Sequence, residues 1–153
     1  MIKVIIFDLG GILVPEKANE INQEIINYLQ IPKNSFLNFL NLNKNKLNRG
    51  EITLLKFYSK LVKKFNLSLK PRKILERHLK SYGKYSRKKN GLITSLIKIL
   101  KKHYKVVALT NTETEIARYN RKKGLFKIFD KAFISTDMHL AKPEKRIYLN
   151  VLS

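Results

Sequence analysis

Apolar residues along the chain follow two different periods. Val4-Ile5-Ile6-Phe7 is an unbroken run that stops at Asp8-Leu9-Gly10-Gly11, the pattern of a short buried strand ending in a glycine turn. The spacing then becomes helical. Ile21, Ile25, Ile26 and Leu29 fall three and four apart between Glu20 and Leu29, and Pro32 closes that helix. A second helix is predicted from Asn34, with Phe36, Leu37, Phe39, Leu40 and Leu42 as its apolar members. Arg49-Gly50-Glu51 interrupts it, and Leu54, Leu55, Phe57, Tyr58, Leu61 and Val62 mark a third from Thr53 to Phe65. Pro71 opens a fourth, carrying Ile74, Leu75 and Leu79. Four consecutive helices between residues 17 and 82 form a small bundle.

The next stretch, GKYSRKKNG from Gly83 to Gly91, is basic, polar and bounded by glycines, which predicts a hinge over residues 83–90. Beyond it the alternation returns. Leu92 to Leu100 reads as an amphipathic helix, Tyr104 to Leu109 as a buried strand, and Glu113 to Lys123 as a helix ended by Gly124. Lys131 to Ile134 is another strand, and Pro143 sits where a helix over Glu144 to Leu152 begins. This order predicts an α/β fold: a Rossmann-like parallel sheet built from residues 1–15 and 91–153, with a four-helix cap, residues 16–82, inserted after the first strand.

Composition narrows the function classes. With 153 residues the chain suits one domain with an insertion, and its lack of cysteine excludes disulfides, thiolate zinc sites and cysteine nucleophiles. No apolar run approaches the ~20 residues that span a membrane, so a soluble, cytoplasmic protein without a membrane partner is expected. Thirty-two Lys and Arg against 11 Asp and Glu give a net charge of +21, a field that attracts anions of every kind. From Arg77 to Lys105 no acidic residue interrupts the basic ones. The excess is mostly Lys, spread over the whole length and accompanied by Ile and Asn. That pattern fits a compositional bias better than a dedicated nucleic-acid surface, and both readings stay open.

Three strand ends carry the candidate chemistry. Asp8 ends the first strand, Thr110-Asn111 ends the second in VVALTN, and Lys142-Pro143 follows the third in ISTDMHLAKPEKRIY. In a parallel sheet these ends share one edge, the edge where ligands bind. Asp8 alone reads equally well as a turn residue. A carboxylate, a hydroxyl and an ammonium together suit phosphoryl transfer: Asp8 to attack phosphorus, Thr110 to donate to a phosphoryl oxygen, Lys142 to offset negative charge. Gly10 and Gly11 let the backbone approach a ligand, and Asn111 stands beside them as a substrate contact. His78, His103 and His139 are scattered and read as surface or turn residues. Glu113 and Glu115 suit the N-terminus of the helix that follows the second strand.

FDLGGIL, VVALTNT and AKPEKRIY, in this order, resemble the first three motifs of the haloacid dehalogenase superfamily, and the helical segment with LNRGEIT is similar to the cap many members carry. The resemblance covers essentially the whole chain. It implies a hydrolase acting on a phosphorylated small molecule, with Asp8 as nucleophile and aspartyl-phosphate carrier and with Thr110 and Lys142 in the second and third motifs. It also implies a Mg²⁺ ion held by Asp8 and the backbone carbonyl of Gly10.

Two departures accompany it. The family's usual second aspartate, a general acid and base two positions after the nucleophile, is Gly10 here. No acidic fourth motif follows Lys142 before Ser153, so the core is expected to be C-terminally incomplete, with a weak Mg²⁺ site. The first strand would then be an open apolar edge, which invites a second copy or a complementary C-terminal fragment. The alternative function is a catalytically inactive fragment, or a basic protein that binds nucleic acid or a partner.

Overall fold

A computed structural model describes residues 2–152; Met1 and Ser153, the ends of the expected core, lie outside the described residues. Strand β1 (Val4–Phe7) leads into α1 (Ala18–Leu29), α2 (Lys33–Asn48), α3 (Leu54–Lys64) and α4 (Pro71–Tyr85). Then follow α5 (Gly91–Leu100), β2 (Lys105–Thr110), α6 (Thr114–Lys122), a 3-10 turn over Leu125–Ile128, β3 (Lys131–Ile134), α7 (Ser135–Met138) and α8 (Lys145–Leu152). The fold is mixed α/β around a parallel sheet of order β1-β2-β3.

β2 is the central strand, and both its faces are covered. Val106 and Ala108 pack with Leu9, Leu13, Ile97, Leu125 and Phe129 on one side, while Val107 and Leu109 meet Leu140, Ile147 and Val151 on the other. This two-sided burial is why KVVALT reads as a continuous apolar run. Among the described residues β1 pairs with β2 alone, Val4 opposite Lys105 and Phe7 opposite Ala108, and Ile6 is exposed along it. Asp130 ties the approach to β3 onto β2: its carboxylate accepts from the Val106 amide at 2.8 Å, and its own amide donates to the Val106 carbonyl at 2.9 Å.

The helices before residue 86 have a core of their own. Ile25, Leu29, Phe36, Phe57, Leu61 and Ile74 are buried in it, and Phe57 meets Phe36 edge-on and tilts against Phe39. α1 and α4 are fastened by Glu24, whose carboxylate accepts from Ser81, from the Tyr85 hydroxyl at 2.8 Å and from Lys84 at 3.0 Å. Those bonds hold its pKa at about 2.

Ile116 of α6 completes this core, so the bundle is docked on the sheet layer rather than suspended from it. The Tyr82 hydroxyl and the Asn120 amide bond reciprocally at 2.8 and 3.0 Å. Arg49 reaches Glu144 at 3.1 Å, and the ring N–H at Nδ1 of His139 donates to the Arg49 carbonyl at 3.0 Å.

Helix α4 runs through Gly83 to Tyr85, so the first three residues of the expected hinge are helical. The reason is close approach: a Cβ at Gly83 would lie 2.5 Å from the Tyr119 hydroxyl of α6. A glycine that looks like a breaker here lets two helices touch. Pro143 lies in a turn ahead of α8, which starts at Lys145. The 3-10 turn and α7 are too short to leave a periodic signature in the sequence.

Candidate active site

β1 delivers Asp8 to the C-terminal edge of the sheet, where the chain turns sharply. The Leu9 carbonyl accepts from the amides of Leu13 at 3.0 Å and Val14 at 3.1 Å, the Gly11 amide donates to the Val14 carbonyl at 2.9 Å, and Gly11 has φ of +72°. That positive φ costs a side-chain-bearing residue but not glycine. The Asp8 carboxylate is half exposed. One oxygen, Oδ1, accepts from the Leu9 amide at 2.7 Å, and the other, Oδ2, is 2.7 Å from Lys142 Nζ.

Lys142 is held from three sides. Its ammonium also donates to the Leu109 carbonyl at 3.2 Å, and its backbone is gripped by Asn111: the Lys142 amide donates to Asn111 Oδ1 at 2.9 Å while Asn111 Nδ2 donates to the Lys142 carbonyl at 3.0 Å. Asn111, expected as a substrate contact, thus has both ends of its amide engaged with the lysine loop. Thr110 is buried at the end of β2, and its hydroxyl has only a long 3.5 Å contact with the Asn111 carbonyl. The Thr112 amide donates to the buried Ser135 hydroxyl at 3.1 Å, joining the ends of β2 and β3. Asp8, Thr110, Asn111 and Lys142, separated by up to 134 positions, therefore share one edge.

They share a cavity as well. A space of about 590 Å³ between the sheet edge and the helical bundle is lined by Asp8, Gly10, Thr110, Asn111 and Lys142 below and by α1, α2 and α4 above. Its walls carry polar groups that periodicity does not reveal. Tyr58 Oη lies 2.6 Å from His78 Nδ1, and burial pushes the histidine down to about 4. His78, expected at the surface or in a turn, is therefore a neutral cavity-wall residue. Glu113 faces the same space, and burial first of all, with Glu115 and Glu16 nearby, pushes its carboxyl up.

Glu115 lies in the first turn of α6, where its charge suits the helix N-terminus, and it serves a second helix as well. Its carboxylate accepts from the amides of Leu54 at 2.9 Å and Leu55 at 3.1 Å, so an acid of α6 caps the N-terminus of α3.

Asp8 and the Gly10 carbonyl are hard oxygen donors at an open turn, the donor chemistry Mg²⁺ prefers. Among the described residues no group of three or more His, Asp and Glu side chains forms a metal cage. The donors fit an ion that takes most of its shell from phosphate and water.

Comparison with known proteins decides the family. Residues 2–153 match the model of the haloacid dehalogenase-like hydrolases. The chain belongs to this family. No curated protein matches it in sequence. Among solved structures, a haloacid dehalogenase family enzyme of Bacteroides thetaiotaomicron superposes with a TM-score of 0.76 at 22% identity, over 98% of this chain and 76% of that one. The same enzyme in complex with magnesium and inorganic phosphate gives 0.72 at 19% identity, over 99% and 77%. A predicted hydrolase of the family from Porphyromonas gingivalis gives 0.72 at 20%, over 99% and 75%. These likenesses establish the shared hydrolase fold. Among the described residues no helix is long and apolar enough to cross a membrane.

Proposed function

We propose that the chain is a phosphomonoesterase acting on a phosphorylated small molecule, with Asp8 as nucleophile. The observation that carries this reading is the Asp8–Lys142 pair, 2.7 Å apart at the floor of a cavity large enough for a small metabolite. Lys142 neutralises part of the charge that gathers when a phosphate dianion approaches a carboxylate, and its grip by Asn111 and the Leu109 carbonyl keeps it in place without reorganisation. Thr110, with its hydroxyl nearly free, donates to a phosphoryl oxygen. Gly10 and Gly11 add no side chain of their own beside the phosphate.

A Mg²⁺ ion would be held by Asp8 and the Gly10 carbonyl, and it would supply charge neutralisation on the phosphoryl oxygens. The helices of residues 16–82 act as the cap over the site, and Ser86 to Asn90 as the connection back to the core. They exclude water from the phosphorylated aspartate and present Tyr58, His78, Tyr82 and Asn120 toward the leaving group. The resemblance of the fold to a family enzyme crystallised with magnesium and phosphate supports this reading.

The test is hydrolysis of p-nitrophenyl phosphate with Mg²⁺ by the wild-type chain and by Asp8→Asn. Loss of turnover in Asp8→Asn is expected. Equal rates would reject Asp8 as nucleophile.

A further inference from the structure

Expelling an alkoxide from a phosphate ester requires a proton on the departing oxygen, and the residue supplying it must stand beside the nucleophile. Position 10, two residues after Asp8, has no side chain. The space is nevertheless filled. A Cβ built on Gly10 would lie 2.9 Å from Oε2 of Glu16, and one built on Gly11 would lie 3.7 Å from the Glu16 Cβ. The Glu16 side chain lies against both glycines, so one of its carboxyl oxygens stands where a side chain at position 10 would begin.

Its neighbours make the placement unusual. Nine of the 11 acidic residues, in a chain with 32 basic ones, are ion-paired or hydrogen-bonded to another residue. The two that have no such partner among the described residues are Glu16 and Glu113, and both line the cavity that holds Asp8 and Lys142. Glu16 is exposed to solvent at the cavity mouth, so its carboxyl is free to exchange protons with water and is not tied up by a cation. Of the two, only Glu16 reaches the nucleophile turn.

We propose that Glu16 is the general acid and base of the reaction, acting from the start of the helical segment in place of a side chain at position 10. The inference rests on the phosphomonoesterase reading above. In the first half-reaction an Asp8 oxygen bonds to phosphorus and the P–O bond to the leaving group breaks. The Glu16 carboxyl gives its proton to that oxygen, which departs as an alcohol. In the second, the Glu16 carboxylate takes a proton from the water that attacks phosphorus, the bond to Asp8 breaks, and inorganic phosphate leaves with Glu16 protonated again.

The test compares two esters on Glu16→Gln, which keeps shape and loses the proton. With glycerol phosphate, whose alkoxide needs protonation, kcat/KM falls by ~10²- to 10⁴-fold. With p-nitrophenyl phosphate, whose leaving group needs none, kcat/KM stays within a few-fold while kcat falls, giving a burst of p-nitrophenol as phosphorylated Asp8 accumulates. The pair Glu16→Ala and Glu16→Ala with Gly10→Asp gives a second reading: the added aspartate, with the glutamate out of its way, restores glycerol phosphate hydrolysis. Equal losses on both esters, or no loss on either, in a chain whose activity requires Asp8 would overturn Glu16 alone. A wild-type chain that hydrolyses neither ester, or an active Asp8→Asn, would remove the phosphomonoesterase reading and this inference with it.

Discussion

Replacing Glu115 with alanine tests how the helical bundle is fixed over the site. The first turn of α3 has amides without helical partners, and the structure accounts for those of Leu54, Leu55 and Lys56: the first two donate to Glu115, the last to the Thr53 hydroxyl at 3.2 Å. In Glu115→Ala the Thr53 cap survives. The Leu55 amide is exposed and finds water, at a cost of roughly 0.5 kcal/mol, whereas Leu54 is buried and loses its only acceptor, at roughly 1–2 kcal/mol. Removing a negative charge from the positive end of α3 adds a few tenths. The sum is about 2 kcal/mol. For a chain of this length that lowers the thermal midpoint by ~4–8 °C, and it shifts the urea midpoint without changing the slope. Glu115→Gln, which keeps one acceptor, loses about half as much. An unchanged midpoint in Glu115→Ala would refute the claim that this carboxylate fastens the two layers.

Three further outcomes follow from the contacts. Lys142→Met removes an ion pair at 2.7 Å whose Coulomb energy is about 1.5 kcal/mol at the dielectric of water and ~6 at a protein-like value; for a half-exposed carboxylate a loss of ~2–3 kcal/mol, or roughly 30- to 160-fold in kcat/KM, is expected, and wild-type turnover would contradict it. His78 titrates near pH 4 when folded but near its ordinary 6.5 when unfolded, so the unfolded state gains protons first. Stability then falls as pH drops through that window, by about 3 kcal/mol in total. Urea midpoints at pH 7 and pH 4.5 should differ less in His78→Gln than in wild type, and identical pH dependence would exclude a buried neutral histidine. Gly83→Ala forces Tyr119 away from α4 and from its edge-on contact with Tyr82, at ~1–3 kcal/mol. Thermal melts should show the loss shrinking in a Tyr119→Phe background, where the hydroxyl is gone.

Most of the fold is legible because the buried faces impose simple periods. The unbroken runs VIIF and KVVALT mark strands of a parallel sheet, and the three- and four-residue spacings of Ile21 to Leu29 and Leu54 to Val62 mark helices. Gly83 misleads because a helix contact and a hinge use the same residue for different reasons: one needs its missing Cβ, the other its freedom. The convergence of Asp8, Thr110 and Lys142 follows from topology alone, since parallel strands place their C-terminal ends together. What each neighbour does depends on side-chain direction, which spacing does not encode. Asn111 grips Lys142, Glu115 caps a helix 60 residues away, and His78 turns inward to Tyr58. Glu16 leaves one sequence signal: an acid directly after the nucleophile turn, in a chain that has few of them.

The most direct test of the account is to catch the phosphorylated aspartate. Acid-quenched protein turning over p-nitrophenyl phosphate with Mg²⁺ is digested with trypsin and weighed by mass spectrometry. The peptide spanning residues 4–17 is predicted to carry a phosphoryl group that hydroxylamine removes and that Asp8→Asn lacks. Steady turnover with that peptide unmodified, or with the group on another residue, would contradict Asp8 as the nucleophile.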